Sequence, residues 1–254
     1  MTGGGNLRIV RIILAGCLLF GASPASAQEK SGIKPGFTLA PGSAHIVLLR
    51  PSILVGAQST AGMFEPNADW TAQARDMLGT ALRAAERQLG NAVTDYADPV
   101  GGGADAATLA EYQALFDTVA ASVIEYQFFA GNRLPTKKRK GQFDWSLGPD
   151  VAKLPGLAGA DYALFVSTED HFGSTARKVL QVVAALARVP VTAGVHRGFA
   201  GLVDLRTGDL VWLNADWQMG GDVRDAAGAT KRVRQLLAGF PGVPAAPVTA
   251  AAVP

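Results

Sequence analysis

The sequence predicts a single α/β domain in which helices cover a mixed β-sheet. Short apolar runs typical of buried strands, helices with one apolar stripe each, and a strong hairpin signal lead to this class. Along the chain the predicted order is strand, helix, strand, helix, and then strand, helix, hairpin, helix. Because each helix has one apolar side to bury, a central sheet is the simplest architecture that covers every stripe.

The first predicted strand and helix follow from apolar spacing. His45–Leu49 is a short apolar run stopped by Pro51, as in a buried strand. A helix is predicted over residues 70–89, where apolar residues recur on one stripe and Asp69 supplies the N-cap. This strand and this helix form the first strand–helix pair of the predicted order.

A second strand and helix complete the first half. Residues 91–96 predict a short strand. Apolar residues over 109–126 recur at spacings of three and four, which indicates a helix, and Gly131-Asn132 ends it. Residues 132–158 contain three prolines and a basic run, and we expect them to be irregular.

The second half opens with the most apolar strand of the chain. Residues 161–167 are apolar on both faces, as in a central strand. Ser174 then caps a helix that extends to about residue 188. This helix is expected to bury its apolar stripe, which consists of Val179, Val182, Val183 and Leu186.

The strongest turn signal lies in the next segment. Residues 199–205 and 210–214 flank a four-residue loop in which Gly208 supplies the positive φ that the turn needs. Asp225 opens a last helix, predicted to bury Val233, Leu236 and Leu237.

Three segments carry a family resemblance. Ala160–Leu164 and Leu202–Trp212 resemble a strand and a hairpin of envelope proteins of the curli-secretion-channel (CsgG) type, related small lipoproteins, and the N-terminal domain of the Tol translocation protein (TolB). Ile46–Pro51 is similar to the first strand of that group. The resemblance implies a TolB-N/CsgG-like α/β fold used for assembly or partner binding in the cell envelope, without catalysis.

Residues 1–27 are typical of a secretory signal. Arg8 and Arg11 form a positive start, and Ile12–Phe20 is an apolar stretch shorter than the about 20 residues that span a membrane. Ala25–Ala27 offers a small-x-small cleavage site before Gln28. We therefore expect a periplasmic or secreted protein.

A second processing site overlaps this segment. Leu14–Cys17 matches a bacterial lipoprotein box, and lipidation of Cys17 would anchor the protein to the outer membrane. Cleavage after Ala27 instead leaves a mature chain without cysteine, which suits an oxidising compartment. Both alternatives export the protein.

The remaining boundaries follow from composition. Residues 28–43 are predicted to be a flexible leader, 44–240 the α/β domain, and 241–254 a disordered Pro/Ala tail. Removal of residues 1–27 takes away two arginines and leaves 21 basic against 21 acidic residues. A net charge near zero argues against nucleic acid as a partner, and it leaves a lipid on Cys17 as the predicted membrane contact.

The predicted partner surface lies in the irregular segment. It combines the basic run Lys137, Lys138 and Arg139 with Trp145, inside an otherwise neutral domain. A basic run of this kind is also typical of a solvated loop. We interpret the segment as a surface for an envelope protein or a peptidoglycan-associated partner.

One cluster could carry chemistry. Glu169, Asp170 and His171 follow the predicted central strand, where a metal ion or a proton could be handled. Consecutive strand residues point to alternate faces, so these three converge only if a loop bends them together. The alternative interpretation is a polar strand end.

The sequence therefore supports three hypotheses about function. The first is an exported, non-enzymatic protein that binds a partner in envelope assembly or maintenance, with no cofactor. The second is a periplasmic hydrolase or metal-binding protein that uses Glu169, Asp170 and His171. The third is a structural domain that forms homo-oligomers through an open sheet edge.

Overall fold

Helices lie on both sides of a mixed β-sheet, which confirms the predicted fold class. The computed structural model describes residues 30–97, 103–129, 142–157, 159–188 and 194–242. Within these ranges the strands are β1 Lys30–Ile33, β2 His45–Leu48, β3 Ser52–Gln58, β4 Phe64–Pro66, β5 Ala92–Asp95, β6 Trp145–Ser146, β7 Tyr162–Gly173, β8 Gly194–Asp204 and β9 Asp209–Asp216. The helices are α1 Ala68–Glu86, α2 Ala104–Val123, α3 Thr175–Leu186 and α4 Ala226–Leu236, with a π-helical turn at Ile124–Phe128 and a 3-10 helix at Pro149–Lys153.

The long strand β7 organises the sheet. From Tyr162 to Phe172 it pairs antiparallel with β8, and β8 pairs antiparallel with β9. On its other side, the first part of β7 pairs in parallel with β2 and the second part with β3. Residues 49–51 stand opposite residues 165–166, so the connection between β2 and β3 contains one residue more than the part of β7 beside it.

Each face of the sheet has its own core. On the first face, α1 and α4 pack against the sheet through Leu78, Leu82 and Leu236, which are almost fully buried. On the second face, α2 packs through Phe116, whose ring stacks on Phe165 at 4.6 Å. The apolar stripes of these three helices are therefore buried, as the sequence predicts.

Two positions of the β8–β9 hairpin require glycine, one for its backbone conformation and one for a close approach. Gly208 closes the hairpin with φ of 76°, which confirms the predicted turn. A Cβ atom on Gly201 would lie 2.6 Å from Cε2 of Phe116. The absence of a side chain at Gly201 therefore lets α2 sit directly on the sheet.

Two of the predicted helix caps are confirmed and one is wrong. The side chains of Ser174 and Asp225 accept hydrogen bonds from the first turns of α3 and α4, as predicted. Helix α1, however, begins at Ala68, and Oδ1 of Asn67 accepts from the amide of Trp70 at 2.8 Å. Asn67 is the N-cap in place of Asp69, because the helix extends further toward the N-terminus than its apolar stripe.

The segment predicted to be a flexible leader is part of the sheet from residue 30. Strand β1 pairs antiparallel with β9 at one sheet edge. Lys34 continues this contact through its amide, which donates to Val211, and through its ammonium group, which pairs with Asp209. Leu39 is buried in the first core. Backbone pairing with β9 orders a segment whose composition alone suggests a loose chain.

Candidate functional site

The predicted partner surface is described only at Trp145. Cys17, Lys137, Lys138 and Arg139 lie outside the described residues. Trp145 lies on β6 and pairs with Leu210 of β9. Its side chain is half-buried against the second core. The prediction that residues 132–158 are irregular is therefore wrong at Trp145, because β9 pairs with this part of the segment. The role of Trp145 in a partner surface stays a prediction.

Strand β7 is longer than predicted and contains the whole acid–histidine cluster. Glu169, Asp170 and His171 are strand residues, whereas the sequence placed them just after the strand. Glu169 and His171 share one face of the sheet, and Asp170 points to the other. The three side chains do not converge, so the hypothesis of one metal or acid–base site built from them is wrong.

Asp170 lies at the centre of a buried polar network. Nη1 of Arg232 donates to Oδ2 of Asp170 at 2.7 Å, and Nη2 donates to Oδ1 at 2.7 Å. Nδ1 of His196 donates to Oδ1 at 2.7 Å, and the Thr168 hydroxyl lies 3.3 Å from Oδ2. Both Asp170 and Arg232 are fully buried. Burial by itself would raise the pKa of Asp170, but the hydrogen bonds from His196 and Arg232 and the charge of Arg232 hold it below its ordinary value.

The guanidinium of Arg232 is satisfied on every side. Helix α4 places it against the sheet, where its Nη1 also donates to the hydroxyl of Thr168. Its Nε and Nη2 contact the carbonyl oxygens of Gly220 and Gly221 at 3.4 and 3.3 Å. This arrangement joins α4 to β7 and leaves Asp170 ionised and fully hydrogen-bonded, which is a structural role.

The other face of β7 carries a second ion-pair group. The Glu169 carboxylate accepts from Nε2 of His171 at 2.5 Å and from Nε of Arg197 at 2.9 Å. The ring of Phe64 stacks on His171 with centroids 3.9 Å apart. Arg197 lies over the ring of Trp217 at 5.3 Å. Both carboxylate oxygens of Glu169 are therefore already engaged.

Asp117 on α2 faces the same side of the sheet. Burial raises the pKa of Asp117 to about 6; the hydrogen bond with Ser167 lowers the pKa and the nearby charge of Glu169 raises it further. This group therefore gains a proton more readily than an ordinary aspartate.

Within the described residues, no group of three or more His, Cys, Asp and Glu is placed to hold a metal ion.

Helix α3 turns its apolar stripe to solvent, so the expectation that this stripe is buried is wrong. The side facing the protein is formed by Arg177 and Ala184, exposed 6% and 8%. The helix connects β7 to β8, whose ends pair at Phe172 and Gly194, and it lies at the end of this ribbon. The exposed fractions on the outer side are 60% for Val179, 65% for Val182, 57% for Val183 and 83% for Leu186.

Sequence reasoning missed the partners of Asp170 and Glu169. His196, Arg197 and Arg232 lie 26 or more residues from them, and strand pairing and helix packing bring them together. The spacing of Glu169 and His171 by two residues was the one local signal, because it places them on one strand face.

Comparison with known proteins finds distant structural likeness. No protein-family model matches the chain, and no characterised protein matches it in sequence. The structure aligns weakly with PelC from Paraburkholderia phytofirmans, solved as a dodecamer, with 13% identity, 82% of this chain and 93% of that chain covered, and a TM-score of 0.32. A single-residue variant of the PelC dodecamer from the same organism gives 15% identity, coverage of 82% and 94%, and a TM-score of 0.32.

Proposed function

We propose that this chain is an exported protein of the cell envelope that acts by docking to another envelope component. Export is supported by the signal-like segment 1–27, in which Arg8 and Arg11 precede the apolar stretch Ile12–Phe20. The resemblance of Ala160–Leu164 and Leu202–Trp212 to curli-secretion-channel and TolB N-terminal-domain proteins points to the same compartment.

The exposed side of α3 carries this proposal. Apolar side chains on a folded protein are normally covered when they recur on one helix face, and a contiguous exposed patch marks an interaction site. Helices α1, α2 and α4 bury residues against the sheet, whereas no residue of α3 belongs to either core described above. A surface of this composition favours docking.

The two carboxylates of the polar cluster are already occupied by other side chains. The carboxylates of Glu169 and Asp170 are engaged by Arg197 and Arg232, and each also accepts from a histidine. A general base needs an acceptor free to take a proton from substrate. The cluster therefore supports stabilisation of the fold, and we do not propose a hydrolase or a metal site.

Site-specific cross-linking in intact cells tests the proposal. A photo-reactive amino acid replaces Val182 on α3 or, as control, Leu115 on α2, which is 39% exposed. We expect envelope-specific products at Val182 that disappear when Leu186→Gln is added, and none of them at Leu115. Identical products at both positions, or an unprocessed chain recovered from the cytosol, would contradict the proposal.

Self-association through a sheet edge is a second candidate. In the described part of the chain, β5 pairs with β2 on one side and with no strand on the other. An open edge offers unpaired backbone groups to a second copy. Light scattering of the processed chain should then show a dimer or a ring, and a monomer over a wide concentration range would count against this candidate.

A further inference from the structure

We propose that α3 is an interfacial helix that docks side-on to an anionic membrane surface. This inference rests on the proposed docking function and names the occupant of its surface. It adds a membrane contact that is independent of any lipid on Cys17.

The apolar stripe has the spacing of a helix that faces an apolar phase. Val179, Val182, Val183 and Leu186 lie at positions i, i+3, i+4 and i+7, which places them on one side of α3. Leu180, 40% exposed, widens this side. The helix is therefore amphipathic, but its apolar side faces solvent, whereas the apolar sides of α1, α2 and α4 face the sheet.

Hydrogen bonds on the inner side hold α3 in this orientation. The amide of Ser174 donates to the carbonyl of Gln58, and its hydroxyl caps the helix at Arg177. Nη1 of Arg177 donates to the carbonyl oxygen of Ser59 at 3.1 Å, in the turn that connects β3 to β4. Met63, at the end of the same turn, is 67% exposed. Rotating the helix to bury its stripe would expose Ala184 and break the contacts of Arg177.

The charge around α3 favours an anionic occupant. Residues 172–203 contain no Asp or Glu, although the mature chain as a whole is nearly neutral. The exposed cations in the described part of this stretch are Lys178 and Arg188, because Arg177 is buried against Ser59 and Arg197 is paired with Glu169. Basic residues beside an exposed apolar stripe are typical of helices that lie in the interface of an anionic membrane, where headgroups attract the cations and the stripe enters the acyl boundary.

A second copy of this chain fits the same surface poorly. A 12-residue helix is about 18 Å long and about 10 Å wide, so one side of it covers about 180 Å². Stable interfaces bury about 800 Å² per partner, which is several times more. In an antiparallel pair of α3 helices, Lys178 of one copy would approach Arg188 of the other, and α3 itself has no acidic residue to offset them. No helix among the described residues is long and apolar enough to cross a membrane. At about 18 Å, α3 is shorter than the about 30 Å hydrocarbon core, so its contact with a membrane would run parallel to the surface.

Vesicle flotation tests this inference directly. The precursor is expressed with Cys17→Ser in every sample, so that no acyl anchor can form. The processed chain is then purified and mixed with phosphatidylglycerol-containing vesicles or with phosphatidylcholine vesicles. We expect binding to the anionic vesicles that weakens with salt. Leu186→Gln combined with Val182→Gln should lower the partition coefficient about tenfold or more. Leu115→Gln on α2 is the matched control and should bind as the unsubstituted chain does.

A charge variant separates the two contributions. Lys178→Gln should reduce binding to anionic vesicles a few-fold and leave phosphatidylcholine binding unchanged. Equal binding to both vesicle types, or no effect of the α3 double variant, would overturn the inference. Sedimentation velocity gives one more outcome: a dimer that the double variant abolishes assigns the surface to a second copy and overturns it as well. A protein cross-linked at Val182 without vesicle binding would keep the docking function and overturn the membrane assignment.

Discussion

Arg232 and Asp170 form a fully buried, two-pronged ion pair that joins helix α4 to the central strand β7. Both contacts measure 2.7 Å, and neither side chain is accessible to solvent. The pair lies on the opposite face of β7 from Glu169 and His171. It therefore connects a helix to the sheet just before α3 begins.

Removing one partner of this pair should be severely destabilising. In Asp170→Ala the guanidinium of Arg232 stays buried without its counter-charge, and we expect a loss of about 3–5 kcal/mol in the free energy of unfolding. Urea denaturation measures this loss. Asp150→Ala is the control, because Asp150 forms an exposed pair with Lys153 and should cost less than about 0.5 kcal/mol. Equal effects of both substitutions would contradict the role assigned to Asp170.

The lowered pKa of Asp170 predicts that the stability of the fold depends on pH. The pKa of Asp170 is lowered in the folded state, so its stabilising effect is present above the unfolded value of about 3.9 and is lost as pH falls through the lower folded value. The stability difference between the unsubstituted chain and Asp170→Asn should therefore be constant near neutral pH and shrink below about pH 4. Urea titrations at several pH values measure it, and a difference that grows on acidification would contradict this sign.

The titration of Asp117 should make stability depend on pH in the opposite direction from Asp170. Its pKa is about 6 against an ordinary value of 3.8, so the folded state binds the proton more tightly and stability falls as pH rises between these values. Asp117→Asn removes this penalty and should stabilise the protein at pH 8 by about 1 kcal/mol, allowing for partial solvent screening. A carboxyl titration by NMR should give a midpoint near 6. A midpoint near 4 would show that the side chain is not buried as described.

The contact between α2 and the sheet should not tolerate a methyl group at Gly201. Its Cβ would lie 2.6 Å from the ring of Phe116, so Gly201→Ala should cost about 1–3 kcal/mol in the free energy of unfolding. Gly79 lies in the interior of α1, where an added Cβ has as its nearest neighbour the flexible Arg83 side chain at 3.5 Å. Gly79→Ala should therefore stabilise by up to about 1 kcal/mol. Chemical denaturation measures both, and effects of the same sign would contradict the packing.

Two leucines distinguish a covering helix from an exposed one. Leu236 on α4 is fully buried, and Leu236→Ala should cost about 2–5 kcal/mol in the free energy of unfolding. Leu186 on α3 is 83% exposed, and Leu186→Ala should change stability by less than about 0.5 kcal/mol. Thermal unfolding of both variants measures the contrast. A large loss for Leu186→Ala would mean that α3 packs against the protein after all.

The sequence predicted strands, turns and helix caps well where short apolar runs or single capping and turn residues specify them. The strand at His45–Leu48 and the turn at Gly208 follow from apolar runs and from one residue that tolerates positive φ. The caps at Ser174 and Asp225 follow from side chains that satisfy the first amides of a helix. These features depend on neighbours within a few residues, so the sequence contains the information directly.

The candidate site was less predictable, because its contacts are remote in sequence. Arg232 lies 62 residues from Asp170, and Arg197 lies 28 residues from Glu169. A charged residue on a helix, such as Arg232, ordinarily indicates a solvated face. Its burial depends on the position of α4 over β7, which no local pattern specifies.

The sequence by itself determined the α/β class, the positions of the four helices and the amphipathic character of each helix, since these are periodicities of side-chain type along one chain. It did not predict strands β1, β3, β4 and β6. Only the tertiary structure decided which way each apolar stripe faces. Helices α1, α2 and α4 lie over the sheet, whereas α3 lies at the end of the β7–β8 ribbon with its inner side held by Arg177. An apolar stripe indicates that something covers it, but chain geometry determines whether that cover is the protein's own sheet.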